Sequence, residues 1–333
     1  MERLTSFTLH RPRTLGEAVS LLAWMPAARP IAGGTDLVPN LRHGLGEPPD
    51  LVDLSAIDGF DRIEFASGGV TIGAGATLAR LASDPGIRDA FPALAEAAAT
   101  IAGPGHRTTA TIGGNLCLDT RCVFYNQSAW WRRANAFCLK HGGDTCHVAP
   151  QGEHCHAAFS GDLAPVLLAV AAEVEIAGPG PSRRIALADL YVDDGAAHLT
   201  LAGGELLVAV HVPAQPPRAR SGYRKARARG AIDFPLAGVA VRVASEGVAI
   251  AELRVALTGT NSRPFLLDGV DAFAGRAVDD ALLAQLGKLV QKQVSPMRTT
   301  VTGSHYRRQV AAVLAQRLVR ALAGGDGEDR DER

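Results

Sequence analysis

Residues Ile31–Leu37 read IAGGTDL, a stretch in which an apolar run ends in two glycines and small polar residues. The segment before it, Leu15–Trp24, carries apolar residues at helical spacing, and a polar turn follows it. This order predicts a helix, a strand, a glycine loop and a second helix.

A second stretch of the same character, ATIGGNL, lies at Ala110–Leu116. Glycines let backbone N–H groups turn toward an anion, and such nests commonly bind phosphate. Neither loop has the GxGxxG spacing of Rossmann folds or the GxxxxGK[ST] spacing of P-loops. Each loop alone is compatible with a simple tight turn, but two matching loops favour a phosphate-binding role.

The chain outside these loops alternates between helical and strand patterns. Residues 160–178, SGDLAPVLLAVAAEVEIAG, predict a capped helix with Asp162 near its start, followed by a strand. The Pro-rich stretch Pro213–Gly222 is the best boundary candidate. Beyond it, strand and helix patterns predict a sheet covered by helices, and residues 325–333 read as a disordered tail. The fold class is therefore α+β.

Composition limits the partners. The 333 residues carry 34 basic and 34 acidic side chains, so no charge footprint for nucleic acid or a membrane surface is present. The apolar stretch Ala18–Met25 is far too short to span a bilayer. We expect no nucleic-acid partner, no membrane span and a cytoplasmic location.

Four of the five cysteines lie in residues 122–155, between the second glycine loop and the capped helix. Cys122, Cys138, Cys146 and Cys155 are separated by 15, 7 and 8 residues, so no two form a CxxC knuckle. Clustering of this kind favours a metal centre over a disulfide framework. Four thiolates suit a cubane iron–sulfur cluster, but four histidines in the same segment keep structural zinc open. These are His141, His147, His154 and His156.

The two glycine loops and the segment SGDLAPVLLAV together resemble the flavin-binding signatures of the FAD subunits in the xanthine oxidase family of molybdenum hydroxylases. The resemblance implies a two-lobed FAD-binding domain of the vanillyl-alcohol-oxidase type, followed by a C-terminal α+β domain of the CO-dehydrogenase flavoprotein type. Its implied bounds are 1–56 for the N-terminal lobe, 57–216 for the second lobe with an insert at about 118–159, and 217–324 for the C-terminal domain.

The resemblance also implies which residues hold FAD. The first loop would bind the pyrophosphate through its amides, the second would lie along the diphosphate and ribityl chain, and Asp162 would hold the sugar region. The segment after the Pro-rich stretch would return to the isoalloxazine, with Lys225 as a contact. The implied FAD residues are Ala32, Gly33, Gly34, Thr35, Asp36, Thr111, Ile112, Gly113, Gly114, Asn115, Asp162 and Lys225.

The cysteine insert resembles that of one branch of this family, the β subunits of 4-hydroxybenzoyl-CoA reductases. That resemblance implies that Cys122, Cys138, Cys146 and Cys155 hold one 4Fe-4S cluster. Cys117 then reads as a small buried hydrophobe near the flavin. The insert's aromatic residues, Trp130 and Trp131 among them, are expected to form its small core, and Arg132 and Arg133 either face the cluster or form a solvated basic face.

The function implied by the resemblance is electron transfer inside a larger complex. An external donor such as ferredoxin would pass electrons through the 4Fe-4S cluster and FAD to 2Fe-2S and molybdenum centres in a small subunit and a molybdopterin-binding large subunit. The three subunit types would form a heterohexamer. The substrate, 4-hydroxybenzoyl-CoA, would be reduced to benzoyl-CoA on another subunit, so no catalytic residue is expected here. The alternatives are an FAD subunit of an oxidising aromatic or N-heterocycle hydroxylase and a zinc-clamped binding module without redox activity.

Overall fold

The computed structural model describes residues 4, 6–299 and 302–324. Within these residues three sheets follow one another along the chain, each with helices packed around an apolar core. No described helix is both long enough and apolar enough to cross a membrane. The predicted disordered tail, 325–333, lies outside the described residues.

The first lobe is a three-stranded parallel sheet in the order β1-β3-β2, with helix α1 beside it. Helix α1 begins with a capping box between Thr14 and Glu17 and buries Ala18, Val19 and Leu22. The predicted order of helix, strand, glycine loop and helix is confirmed. The elements are β1 (Thr8–His10), α1 (Leu15–Trp24), β2 (Arg29–Ile31), α2 (Leu37–Arg42) and β3 (Asp50–Asp53).

The second lobe is a five-stranded antiparallel sheet in the order β4-β5-β8-β6-β7. Its helices share the largest apolar core of the described chain with one face of this sheet. The elements are β4 (Ile63–Ala66), β5 (Gly69–Gly73), α3 (Leu78–Ser83), α4 (Pro85–Ala90), α5 (Pro92–Thr100), α6 (Pro104–Arg107), α7 (Ile112–Leu116), α8 (Ala129–Ala134), α9 (Leu163–Ala169), β6 (Glu173–Ala177), β7 (Arg183–Ala186) and β8 (Leu206–Pro213).

Helix α9 is buried along its whole length because it packs between helix α5 and strands β10 and β11 of the third sheet. Asp162 stands at its N-cap position, but its side chain makes no cap hydrogen bond. Asn115 Oδ1 instead accepts from the Leu163 amide at 3.0 Å. The expectation of a helix capped by its own aspartate is therefore wrong, and the second glycine loop supplies the acceptor.

The C-terminal domain is a four-stranded antiparallel sheet in the order β12-β11-β10-β9. Helices α10 and α11 pack together and contribute to its apolar core, as the sequence predicts. The elements are β9 (Ala219–Ala226), β10 (Ala237–Glu246), β11 (Ala249–Thr258), β12 (Phe265–Leu266), α10 (Asp280–Gln293) and α11 (Ser304–Ala323).

The cysteine insert leaves and re-enters the second lobe through an antiparallel bridge between Arg121 and Ala158, with both N–H···O distances at 2.8 Å. Inside it, Phe124, Tyr125 and Cys138 form a small core with Leu45 of the first lobe, and Trp131 packs against it. The expected aromatic core is confirmed for these residues. It is wrong for Trp130, which is 75% exposed.

Arg132 is a structural residue of the insert. Its side chain is fully buried and donates to the carbonyl oxygens of Tyr125, Gln127 and Gly44. These bonds fix the turn of helix α8 and tie the insert to the first lobe. Arg133, the next residue, is exposed, so only Arg133 belongs to a solvated basic face.

Candidate functional site

The first glycine loop lies between strand β2 and helix α2. Gly34 has φ +66°, a left-handed conformation that favours glycine. At Gly33 an added Cβ would lie 2.0 Å from Thr109 O, so the backbone of this loop touches the segment leading into the second loop. The two glycine loops, remote in sequence, are therefore neighbours.

The amides of the first loop are free to meet a ligand. Across the described residues, the backbone N–H groups of Gly33, Gly34, Thr35 and Asp36 donate to no protein acceptor. Consecutive unpaired amides at the start of a helix attract a negatively charged group, because they carry the positive end of the peptide dipoles. This arrangement fits a pyrophosphate.

The second loop is arranged differently. Thr111 caps helix α7 by accepting from the Gly114 amide at 3.1 Å, and Ile112 and Gly113 donate to Ala76 and Ala74 carbonyls at 2.9 Å. The Asn115 amide donates to Thr111 O at 3.0 Å. Most amides of this loop thus serve the protein itself, while Gly114 stays exposed between buried neighbours.

Asp162 and Lys225 lie together at the junction of the second lobe and strand β9. Lys225 Nζ is 3.0 Å from Asp162 Oδ1, and both side chains are almost fully buried. Tyr223 Oη donates to the same oxygen at 2.6 Å. Burial raises the pKa of Asp162, while the Lys225 ammonium and the Tyr223 hydroxyl act in the opposite direction.

The Lys225 ammonium has donors left over. Although it is ion-paired, Nζ makes no hydrogen bond with acceptable geometry to any described residue. A buried ammonium with unused donors is costly unless an acceptor completes it. A bound cofactor with oxygen or nitrogen acceptors would supply that acceptor.

Arg121 joins the first glycine loop to the cysteine insert, and sequence analysis missed it. Its guanidinium pairs with Asp36 Oδ1 and with Asn40 Oδ1, and it lies over the Phe234 ring at 5.8 Å from the centroid. Burial raises the pKa of Asp36 in spite of this pairing. The only signal in the sequence is that Arg121 directly precedes Cys122.

Cys122, Cys138, Cys146 and Cys155 all line one small cavity in the insert. Phe124, Lys140 and His147 line it as well. Burial raises the pKa of Cys122, and it raises the pKa of Cys155 to about 11. The fold therefore gathers the four cysteines that the sequence singles out.

Cys155 is held by several neighbours. Its amide donates to Asp194 Oδ1 at 3.2 Å, and its carbonyl accepts from Ser262 Oγ at 3.0 Å and from the Gly195 amide at 2.7 Å. One wall of the cavity is thus fixed by the body of the protein, including the C-terminal domain.

The fifth cysteine and three of the four histidines do not line this cavity. Cys117 packs against the second-lobe core, and burial raises its thiol pKa to about 12. Of the four histidines only His147 lines the cavity, and its ring stacks on Phe124 at 4.1 Å. In the described part of the chain no three His, Cys, Asp or Glu side chains are arranged to hold a metal ion.

Comparisons with known proteins agree with this geometry. The family described as FAD binding domain in molybdopterin dehydrogenase matches residues 5–215, and the CO dehydrogenase flavoprotein C-terminal domain matches residues 221–322. The aldehyde oxidoreductase FAD-binding subunit PaoB of Escherichia coli is 31% identical over 96% of this chain and 100% of its own length. The carbon monoxide dehydrogenase medium chain of Afipia carboxidovorans is 27% identical over 94% of this chain and 96% of its own.

A solved structure extends the similarity to three dimensions. A chain of the reconstituted CO dehydrogenase from Oligotropha carboxidovorans superimposes with a TM-score of 0.81 at 25% identity, covering 97% of this chain and 100% of that one. The match spans both lobes and the C-terminal domain. The chain therefore belongs to the FAD-binding subunits of the molybdopterin dehydrogenases, the xanthine oxidase and CO dehydrogenase family, and is an FAD-binding oxidoreductase subunit.

Proposed function

We propose that this subunit transfers electrons between FAD, bound where its two glycine loops meet, and a 4Fe-4S cluster held in its cysteine insert. The observation that carries the cluster is the single cavity lined by all four insert cysteines. Four thiolates are the usual ligand set of such a cluster. Zinc remains the alternative occupant, since His147 also lines this cavity.

FAD meets three parts of the chain in this proposal. The free amides of residues 33–36 hold the pyrophosphate, and Gly114 lets the cofactor approach the second loop closely. The buried Lys225 ammonium donates its unused hydrogen bonds to the end of the cofactor opposite the pyrophosphate. Asp162 and Tyr223 keep that ammonium in place. The remaining predicted residues of both loops, Ala32, Thr111, Ile112, Gly113 and Asn115, would form the walls of the FAD site.

Bound FAD exchanges electrons in pairs or singly, and the cluster exchanges them one at a time. The chain's own contribution is to bind both groups and hold them at a fixed distance. The Arg121 contact with Asp36 serves this purpose, because it links the loop proposed for pyrophosphate directly to the residue before Cys122.

The relatives favour a complex that oxidises its substrate and passes the electrons outward. The relatives named above are an aldehyde oxidoreductase subunit and a carbon monoxide dehydrogenase chain, and another is the nicotine 6-hydroxylase medium subunit of Paenarthrobacter nicotinovorans, 24% identical over 95% of this chain. We therefore propose that electrons leave a molybdenum centre and pass outward through this subunit. Reductive dehydroxylation of 4-hydroxybenzoyl-CoA to benzoyl-CoA, fed by ferredoxin, is the second candidate, and only the cysteine insert favours it.

The partners follow from the same proposal. A molybdopterin-binding large subunit and a 2Fe-2S small subunit would complete the complex, as the words medium chain in the relatives' names suggest. Within this subunit we propose domain bounds of 1–56, 57–216 and 217–324, which place the Asp162–Lys225 pair across the last boundary.

Anaerobic mixing experiments on the intact complex test both directions. Under the proposed direction an aldehyde or N-heterocyclic substrate bleaches the visible absorbance of the flavin. Under the second candidate reduced ferredoxin bleaches it, and 4-hydroxybenzoyl-CoA then restores it. A complex whose flavin absorbance responds to none of these reagents would contradict the electron-transfer role.

A further inference from the structure

The cysteine cavity contains one buried cation. The Lys140 side chain lines the cavity and is 6% exposed. Its ammonium group is fixed by Asp119 Oδ1 at 2.7 Å and by the carbonyl oxygens of Thr120 and Gly195 at 3.0 Å each, and it also donates to Thr120 Oγ1. The cation therefore cannot swing into solvent without breaking these bonds.

The surroundings leave the charge of Lys140 only partly balanced. Its ion-pair partner, Asp119, is 41% exposed, so water screens that carboxylate far more than it screens the ammonium. The neighbouring Tyr125 ring, with its centroid 4.8 Å from Nζ, adds no charge. Burying an ammonium group is costly, and the thiols across the cavity are the negative groups that would offset this cost when they bind a metal.

The other charged groups near the cavity are placed differently. Arg132 spends its donors on three carbonyl groups, and Arg121 faces Asp36. The carboxylate of Asp194 accepts from the Cys155 amide at the wall of the cavity. Lys140 is thus the buried cation that lines the cavity in the described part of the chain.

We propose that Lys140 is a positioning residue that raises the reduction potential of the cluster, and that Asp119 tempers this effect. The inference rests on the proposed function, because it needs a cluster in this cavity. One-electron reduction adds one negative charge to the cluster without making or breaking a bond. A fixed positive charge at the cavity wall stabilises that added charge more than it stabilises the oxidised state.

Removing the charge of Lys140 and removing the charge of Asp119 should shift the midpoint potential of the cluster in opposite directions. A purely structural role of the two residues predicts no such opposition. In dithionite titrations of the anaerobically purified subunit, followed by electron paramagnetic resonance, Lys140→Met should lower the midpoint potential of the cluster. A tenfold change in the one-electron equilibrium constant, about 59 mV, is the expected size. Asp119→Asn should raise the potential, and Lys140→Arg, which keeps the charge, should stay close to the wild type.

Arg133→Met is the matched control, because it removes the same charge from an exposed position of the insert. Its shift should be clearly smaller than that of Lys140→Met. Iron and FAD contents are measured for every variant. If Lys140→Met loses its iron, Asp119→Asn carries the test alone and its potential must rise.

The outcomes separate this inference from the proposed function. Potentials that move in the same direction in both variants, or that do not move while iron is retained, would overturn the role of Lys140 and leave the cluster in place. A wild-type subunit that contains FAD but no iron would overturn the cluster, and the inference with it.

Discussion

At the scale of single residues, the site depends on where the backbone comes close enough to exclude a side chain. Gly33 is the sharpest case, because its Cα faces the Thr109 carbonyl across the contact between the two glycine loops. The sequence identifies this residue as part of a glycine loop, but nothing in the sequence names its neighbour. That contact is made by a segment over 70 residues away and depends on how the lobes pack.

We expect Gly33→Ala to reduce FAD affinity at least tenfold, or about 1.4 kcal/mol. The added methyl group would lie 2.0 Å from a backbone oxygen, so the two loops must move apart. Gly105→Ala is the control, since a Cβ there has nothing within 4 Å. Fluorescence titration of the apoprotein with FAD measures both. Equal affinities in the two variants would argue against this loop as the pyrophosphate site.

The proposed function makes the four insert cysteines cluster ligands and leaves Cys117 as a packing residue. Cys138→Ser should abolish bound iron while most FAD remains, because Cys138 lines the insert cavity and not the glycine loops. Cys117→Ser should keep its iron, since Cys117 packs on the second-lobe core. Elemental analysis and the visible spectrum measure the iron and FAD contents of both variants. Iron lost from Cys117→Ser and kept in Cys138→Ser would reverse this assignment.

At the scale of secondary structure elements, the local sequence pattern predicts most helices and strands but not the contacts between distant segments. Helix α1, the glycine loop before α2 and the strand pattern of β10 and β11 follow from the sequence alone. The cap of α9 does not, because its acceptor is Asn115 and not Asp162. Asp162 is drawn away by a partner on strand β9, and pairing between distant segments leaves no local signal.

Helix α8 shows the same limit. Its sequence AWWRRA suggests two equivalent tryptophans and two equivalent arginines. Trp131 is however partly buried and Arg132 fully buried, whereas Trp130 and Arg133 are exposed. The helix is short and its two faces meet different surroundings, the Phe124 core on one side and solvent on the other. Adjacent residues on a helix point about 100° apart, so neighbouring residues of the same type can lie in different surroundings.

Arg132→Met should destabilise the insert by about 3 kcal/mol, because it leaves one buried and two partly buried carbonyl oxygens without their donor. Arg133→Met should change stability by less than about 0.5 kcal/mol, as its side chain is in solvent. Thermal unfolding of the FAD-bound protein, with limited proteolysis of the insert, compares the two. Equal resistance to proteolysis would show that Arg132 is dispensable.

The strand pair β10 and β11 carries a pH-dependent ion pair. Arg242 donates to both carboxylate oxygens of Glu252 at 2.7 and 2.9 Å, and these hydrogen bonds lower the pKa of Glu252. The pair therefore stabilises the fold above the unfolded-state pKa of glutamate, and this stability is lost as the pH falls through the lower folded-state pKa.

Glu252→Gln should cost about 1 kcal/mol at neutral pH, since the carboxylate is half exposed. The difference from the wild type should shrink as the pH falls below about 4.3, the ordinary glutamate value. Urea unfolding at several pH values measures it. A difference that stays constant down to the acid limit would mean that the charge of Glu252 contributes nothing.

At the scale of the whole molecule, the three structural units meet where the cofactors are proposed to lie. Asp162 of the second lobe pairs with Lys225 of the C-terminal domain, Asp36 of the first lobe pairs with Arg121 at the start of the insert, and Ser262 holds Cys155. The sequence names most members of these pairs as candidate site residues. Their partners, Arg121 and Tyr223 in particular, become visible only when the chain is folded.

The cysteine insert is joined to the second lobe at one place. It begins and ends at one bridge between Arg121 and Ala158, so the second lobe closes beneath it as a continuous unit. The small core of the insert contains Phe124 and Tyr125 together with Leu45 of the first lobe. The cavity lined by the four cysteines lies within this segment.

The most direct test of the central claim is the metal and flavin content of the anaerobically purified subunit. The account predicts about four irons, about four acid-labile sulfides and one FAD per chain, with a broad visible absorbance beneath the flavin bands. One zinc with one FAD, and no iron, would contradict it and leave a flavoprotein subunit with a structural clamp.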